Sequence, residues 1–191
     1  MNDAKKRTPG RPRSAASHQA ILKAALELLS EVGFEAMSIE AVATRAAVGK
    51  TSIYRRYSSK DELVADAIES IREEVLIPDT ENLWSDIDAL IENAAQISLT
   101  PLGRQSVAMI ISSASSNPGF AQIYWEKYLQ PRRQSFAIVI ERAKARNEVP
   151  TDLDAGLIFD AMSGIMLYAL IFPPTESWTA YVRRALSLLL G

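Results

Sequence analysis

The chain has 191 residues, 48% hydrophobic and 23% charged, with a net charge of −2, no cysteine and a single histidine, His18. These values suit a folded chain of one large or two small domains with a real core, and they exclude disorder. Without Cys there is no disulfide framework and no thiolate metal centre, and one His excludes a two-histidine metal motif; a reducing compartment, the cytoplasm, fits.

The overall −2 argues against a polyanion partner, but it hides a division. Residues 1–60 carry eleven Lys or Arg against five Asp or Glu, a surplus of +6; residues 61–191 carry ten against eighteen, a balance of −8. Such asymmetry suggests that one part of the chain meets a polyanion and the other does not.

Residues 1–16 read as a flexible basic arm, with Lys5, Lys6, Arg7, Arg11 and Arg13 interleaved with Pro9, Gly10 and Pro12. Pro and Gly at this density oppose a helix. The arm is not a secretory signal, because the stretch from Ala20 to Leu29 is interrupted by Lys23 and Glu27. A first helix is predicted from Ser17 to Val32, with Ile21, Ala25, Leu28 and Val32 on its buried face, Gly33 as its stop and Phe34 packing back. Ser38 caps a short second helix over Ile39–Ala46, whose inner face is Ile39, Val42, Ala43 and Ala46. A break at Ala47-Val48-Gly49 leads to a third, Lys50–Tyr57. Ser59 and Glu62 form an S-x-x-E capping box for a fourth, lined by Leu63, Ala67, Ile71 and Val75 and ending near Pro78.

Beyond Pro78, helices are predicted at Leu83–Leu99, Leu102–Ser115, Phe120–Leu129, Arg132–Arg146, Leu153–Phe172 and Ser177–Leu190, separated by proline-containing breaks. Thr151 with Asp154 is a second box-like start. No alternating stretch argues for a strand, so the chain reads as all-α. Ala155 to Phe172 is long and apolar enough to raise a membrane span, but Asp160 lies inside it and no flanking cation anchors it. It reads instead as a helix buried in a core or an interface. No membrane partner is expected.

Short helix, tight turn, short helix is a helix-turn-helix layout, whose second helix enters the major groove. That helix here begins Gly49-Lys50-Thr51-Ser52 and continues Ile53-Tyr54-Arg55-Arg56-Tyr57. Its N-terminus offers N–H groups to phosphate, Lys50, Thr51 and Ser52 are donors on its first turn, and Tyr54 offers a hydroxyl. Ile53 and Tyr57, four apart, face the core, leaving Arg55 and Arg56 for backbone or base contacts.

The run AVGKTSIYRRYSSKDEL, within Ile39 to Ile68, resembles the DNA-binding domain of TetR/AcrR-family transcriptional regulators. The resemblance covers residues 9–68. It implies an all-α chain: a three-helix helix-turn-helix domain at 17–61 after the arm, then a helical effector-binding and dimerisation domain at 62–191. It also implies that Tyr54 and Lys60 contact phosphate, that Lys50 and Thr51 meet base edges, that Ser38 lies beside the DNA backbone, and that Thr44 and Arg45 make secondary contacts. Arg11 and Arg13 have two readings, entry into a minor groove or a solvated tail. Two positions depart from the family pattern: Ala47 stands where a turn glycine is usual and Gly49 where a serine is usual. Ala resists positive φ, whereas Gly is a tolerable cap.

The implied function is a homodimeric, ligand-responsive regulator on a near-palindromic double-stranded DNA operator, a repressor released by an unidentified small-molecule effector. An activator, or a non-specific architectural DNA binder without effector, is the alternative. Candidate effector-pocket residues are Met109, Phe120, Tyr124, Trp125, Tyr128, Asp160, Met162, Met166 and Tyr168, with Tyr124 and Asp160 as orienting groups. Candidate dimer-interface residues are Leu157, Gly164, Leu167, Trp178, Val182, Ala185, Leu186 and Leu189.

Enzyme readings are unsupported. A phosphate-binding loop ending at Gly49-Lys50-Thr51 needs a glycine at position 44, which is Thr44, and a preceding strand. A Ser-His-acid triad would have to use His18, beside the arm. The pairs Asp86/Asp88 and Glu73/Glu74 diverge on a helix and read as a solvated face. No catalytic residue, metal or cofactor is expected.

Overall fold

The computed structural model describes residues 12–71 and 77–190, the backbone only for 12–14, and helices are the regular elements among them. Two compact units divide the chain between Ser70 and Ile71.

The first unit begins with α1 (Pro12–Ala36), followed by α2 (Ile39–Arg45), α3 (Lys50–Tyr54) and α4 (Lys60–Glu69). Helix α1 starts earlier than the proline-rich sequence suggests, so residues 12–16 of the expected arm are helical. Pro12 sits at the first position, where a missing N–H is no loss. The remainder of the arm, Arg11 included, lies outside the described residues. Gly33, at φ 78°, breaks α1 near its end; only glycine takes that backbone without strain. The break turns Phe34 into the core and leaves Val32, expected on the inner face, half exposed.

Ile21, Ala25 and Leu28 of α1, Val42 and Ala43 of α2, and Ile53 and Tyr57 are buried together with Leu63, Val64, Ala67 and Ile68 of α4. Ser59 caps α4 by accepting the Glu62 N–H at 3.1 Å, and Glu62 accepts the Ser58 N–H at 2.9 Å. The helix ends at Glu69 instead of running toward Pro78, so Ile71 lies beyond it; Val75 is outside the described residues. Because α4 packs on α1, it belongs to the first unit, whereas the sequence reading ends that domain at residue 61.

In the second unit, α5 (Leu83–Ser98), α8 (Gln130–Ala145), α9 (Ala155–Ile171) and α10 (Trp178–Leu190) surround one apolar core, with α6 (Pro101–Ser116) packed against α5 and α7 (Pro118–Tyr124) against α6. Ile87 and Ile91, Val139 and Ile140, Ile158 and Met162, and Val182 and Leu186 meet at its centre. Asn82, Thr100, Asn117 and Asp154 cap α5, α6, α7 and α9 through their side chains. Asp154 is thus the cap itself, not the third residue of a box opened by Thr151. It accepts the N–H groups of Gly156 (2.9 Å) and Leu157 (3.0 Å), and the Leu157 N–H first among them holds its carboxyl below the usual range.

Pro131 does not break the chain into two helices. It has no N–H to donate and its ring crowds the carbonyl four residues back, so the helix widens through a π turn, Trp125–Leu129, before continuing as α8. The Gln130 N–H accordingly bonds the Trp125 carbonyl. Asp86 is fully buried, not on a solvated face: its Oδ1 accepts the Thr80 N–H (2.8 Å) and hydroxyl (2.7 Å), which ties the preceding turn to α5.

Candidate nucleic-acid interface and internal cavity

The turn between α2 and α3 is built from two backbone bonds. The Ala47 N–H reaches the Thr44 carbonyl at 3.2 Å and the Val48 N–H the Ala43 carbonyl at 3.0 Å. This is the Schellman closure, which needs a left-handed residue at the position after the cap. Ala47 fills it at φ 53° although it carries a Cβ. The turn delivers α3 with Gly49 as its cap, extended and without a side-chain bond.

Buried Ile53 (0% exposed) and Tyr57 (3%) anchor α3, so the opposite side faces outward: Lys50, Thr51 and Arg55 are exposed, Ser52 is half-buried and Tyr54 is 56% exposed. Helix α3 is regular only to Tyr54, and a turn carries the chain on to Tyr57. The Tyr57 hydroxyl is hydrogen-bonded to His18 Nε2 at 2.7 Å, which ties the end of this segment to α1. Burial, with the negative charge of Asp66 next, pushes the Tyr57 phenol up to about 12.

Three of the cations expected at DNA, Lys50, Arg45 and Lys60, are held by carboxylates or carbonyls. Lys50 Nζ lies 2.5 Å from Glu40 Oε1, and Arg45 makes a two-pronged bond to Glu31 at 2.6 and 2.7 Å. These hydrogen bonds hold the Glu40 and Glu31 carboxyls below the ordinary range. Both pairs are solvent-exposed, so they are readily exchanged for phosphate. Lys60 is placed differently. Its half-buried ammonium donates to the carbonyls of Phe34 (2.9 Å) and Met37 (3.3 Å) and stands 4.4 Å from the Phe34 ring centre, closing the α1–α2 junction. Ser38 caps α2 by accepting the Ala41 N–H, and the Thr44 hydroxyl donates to the Glu40 carbonyl. The Arg13 side chain is outside the described part.

The second unit contains a partly open cavity of about 600 Å³. Its wall is mostly aliphatic and aromatic, including Leu90, Ile97, Val107, Ile110, Phe136 and Phe159, and it is also bordered by Lys127 and Arg132, both of which have partners of their own; that size and character suit a drug-sized organic molecule. Of the residues expected from sequence, Tyr124, Tyr128, Met162 and Met166 line it. The others do not. Phe120 is fully buried and stacks on Tyr124. Trp125 and Tyr168 are exposed, and Met109 is half-buried away from the wall. Asp160 points outward, paired with Arg133 at 3.2 Å, so it cannot orient a molecule inside. Sequence reasoning missed the α5 and α8 wall, where the lining is mainly aliphatic, and the polar members Asn93, Ser135, Ser163 and Trp178.

Three expected interface residues are core residues. Trp178, Val182 and Leu186 form the face of α10 turned to α5 and α9, with Val182 and Leu186 fully buried. Leu157, Gly164 and Leu189 are exposed, and Leu167 and Ala185 are half-buried. No helix among the described residues is long and apolar enough to cross a membrane.

Residues 21–67 match the family described as bacterial regulatory proteins, tetR family, and residues 77–189 the family described as tetracyclin repressor-like, C-terminal domain. YdeS of Bacillus subtilis, an uncharacterized HTH-type transcriptional regulator, is 32% identical over 175 residues, 91% of this chain and 88% of its own. A DNA-binding transcriptional repressor, TetR of Mycobacteroides abscessus, is 30% identical over 168 residues, 84% of this chain and 83% of its own. In structure the chain is similar to Salmonella enterica GusR, with a TM-score of 0.68 at 20% identity, covering 96% of this chain and 99% of that one.

Proposed function

This chain belongs to the TetR family of DNA-binding transcriptional regulators, and from that premise we propose that it works in the cytoplasm as a homodimeric repressor released from its operator by a small molecule. The observation that carries the DNA contact is the outward face of α3: Lys50, Thr51 and Tyr54 stand exposed over a fully buried Ile53. Two such helices, one per protomer, would meet successive major grooves about 34–36 Å apart on a near-palindromic site. Lys50 would exchange Glu40 for a base edge and Arg45 would exchange Glu31 for phosphate. Thr51 and Ser52 would contribute donors, and Tyr54 a hydroxyl to the backbone.

The first unit has the DNA-binding role and the second the effector and dimer roles. Exposed Leu157, Ile171, Phe172, Leu188 and Leu189 on α9, α10 and the segment between them are the surface assigned to the partner copy. The cavity is the effector site. A ligand acts by binding more tightly to the form whose two first units do not fit the operator, since only differential affinity shifts the balance.

Selection of bound DNA from a random library supplies the operator for the test. Tyr54→Ala should weaken binding to all sequences alike, whereas Lys50→Ala should also relax sequence preference, by roughly 1–3 kcal/mol at the base it meets. Unchanged affinity and preference in both variants would overturn the assignment of α3.

A further inference from the structure

Two polar atoms in the cavity wall have no hydrogen-bond partner. Trp178 is 8% exposed and its indole Nε1–H is buried and unpaired; the Asn93 side-chain oxygen Oδ1 is likewise buried and unpaired. Both residues line the cavity. Buried donors and acceptors are nearly always satisfied, so two orphans in one largely apolar wall, whose cations Lys127 and Arg132 already have partners, point to a ligand that satisfies them.

The two residues belong to α10 and α5, which are packed together. Arg183 of α10 bonds Asp88 of α5 at 2.7 Å and lies 3.5 Å above the Trp84 ring. Trp178 stands five residues before Arg183, and Asn93 stands five residues after Asp88. The two residues thus line one cavity from two helices that pack on each other.

Resting on the effector reading above, we propose that the cavity takes an uncharged, largely apolar molecule bearing a hydroxyl group, held between Trp178 and Asn93. The hydroxyl oxygen accepts the indole N–H, and its proton is donated to Asn93 Oδ1. The choice of group follows from the two partners. A carboxylate would accept from Trp178 but turn an anionic oxygen toward Asn93 Oδ1 with no proton to share. An ammonium would serve Asn93 but oppose the indole N–H. An ether or a hydrocarbon leaves one or both atoms unpaired, and a site built to bond a hydroxyl rejects analogues that lack it. The apolar remainder of the molecule rests on Phe136, Phe159, Met162 and the aliphatic wall.

Calorimetric titration of the full chain tests this on two skeletons. One series is 4-phenylphenol, 4-methoxybiphenyl, biphenyl and biphenyl-4-carboxylate; the other is 1-decanol, its methyl ether, decane and decanoate. At least one alcohol should bind, at least tenfold more tightly than its ether, hydrocarbon and carboxylate counterparts. Asn93→Leu and Trp178→Phe should each reduce that preference to within about twofold while hydrocarbon binding is kept. Binding of neither alcohol, equal or tighter binding of the carboxylate, or an undiminished preference in Asn93→Leu would overturn the proposal. Operator release, followed separately by fluorescence anisotropy, distinguishes the two levels. A hydroxyl preference without release overturns the effector reading alone, and release by molecules without a hydroxyl overturns this one alone.

Discussion

Replacing Ala47 by glycine should stabilise the α2–α3 turn. Ala47 holds φ at 53°, and its side chain is exposed and buries no surface in exchange. An L-residue in the left-handed region costs roughly 1–2 kcal/mol relative to its relaxed state. Glycine removes that strain but loses roughly 0.5–1 kcal/mol more chain entropy on folding. The difference leaves Ala47→Gly about 0.5–1 kcal/mol more stable, with the Ala47 and Val48 backbone bonds unchanged. Ala46→Gly is the control. Ala46 is right-handed at φ −75°, so glycine there brings only the entropic loss. Amide exchange at Val42 and Ile53 reads the result: about two- to fivefold slower in Ala47→Gly and slower by nothing in Ala46→Gly, which should exchange faster. Both variants shifting in the same direction would refute the strain argument, because local flexibility and not left-handed geometry would then govern the turn.

Asp86→Ala should destabilise the second unit by about 2–4 kcal/mol in urea unfolding: it removes two bonds from Thr80 of a kind that contributes roughly 1.5–3 kcal/mol each, and it relieves the burial of the carboxylate's unpaired Oδ2, which offsets part of the loss; a loss below about 1 kcal/mol would show that the turn does not depend on them. Tyr57 gives an alkaline dependence. Its phenol titrates near 12 in the fold against an ordinary 10, so the folded unit holds the proton more tightly than the unfolded chain. The corresponding stability is complete below pH 10 and is lost as pH rises from 10 toward 12. Tyr57→Phe should abolish that part of the alkaline profile followed by circular dichroism, and an identical profile in the variant would refute it. Lys60→Met separates two roles of one lysine: as a closure of the α1–α2 junction it should speed amide exchange at Met37 and Ile39 with no change in the salt slope of DNA binding. A slope reduced by about one, with exchange unchanged, would make it a phosphate ligand instead.

Much of the first unit is local in origin, and local features are what a sequence displays. Ser38 and Ser59 cap helices because a short hydroxyl side chain reaches an amide two or three residues on. Gly33 breaks α1 near its end because only glycine takes φ 78° with ψ 173° without strain. The outward face of α3 is legible because Ile53 and Tyr57, one turn apart, point inward together. The role of Lys60 was not legible, since its carbonyl partners lie 23 and 26 residues away.

In the second unit, periodicity marks which helices are amphipathic but not which neighbour each face meets. Trp178, Val182 and Leu186 have the same pattern whether they pack on their own α5 and α9 or on another copy. Asp160 looks like a polar group inside an apolar helix until Arg133, from α8, draws it outward.

The sequence by itself determined the helical class, the caps of α2 and α4 and the helix-turn-helix, which depend on residues within a turn or two of each other, and the division of charge, which is a matter of composition alone. Tertiary structure alone decided which apolar faces are core and which cations are already paired. It alone set Trp178 and Asn93 beside one cavity, because those outcomes depend on how helices distant in the chain are packed, and packing depends on shape that no local pattern encodes.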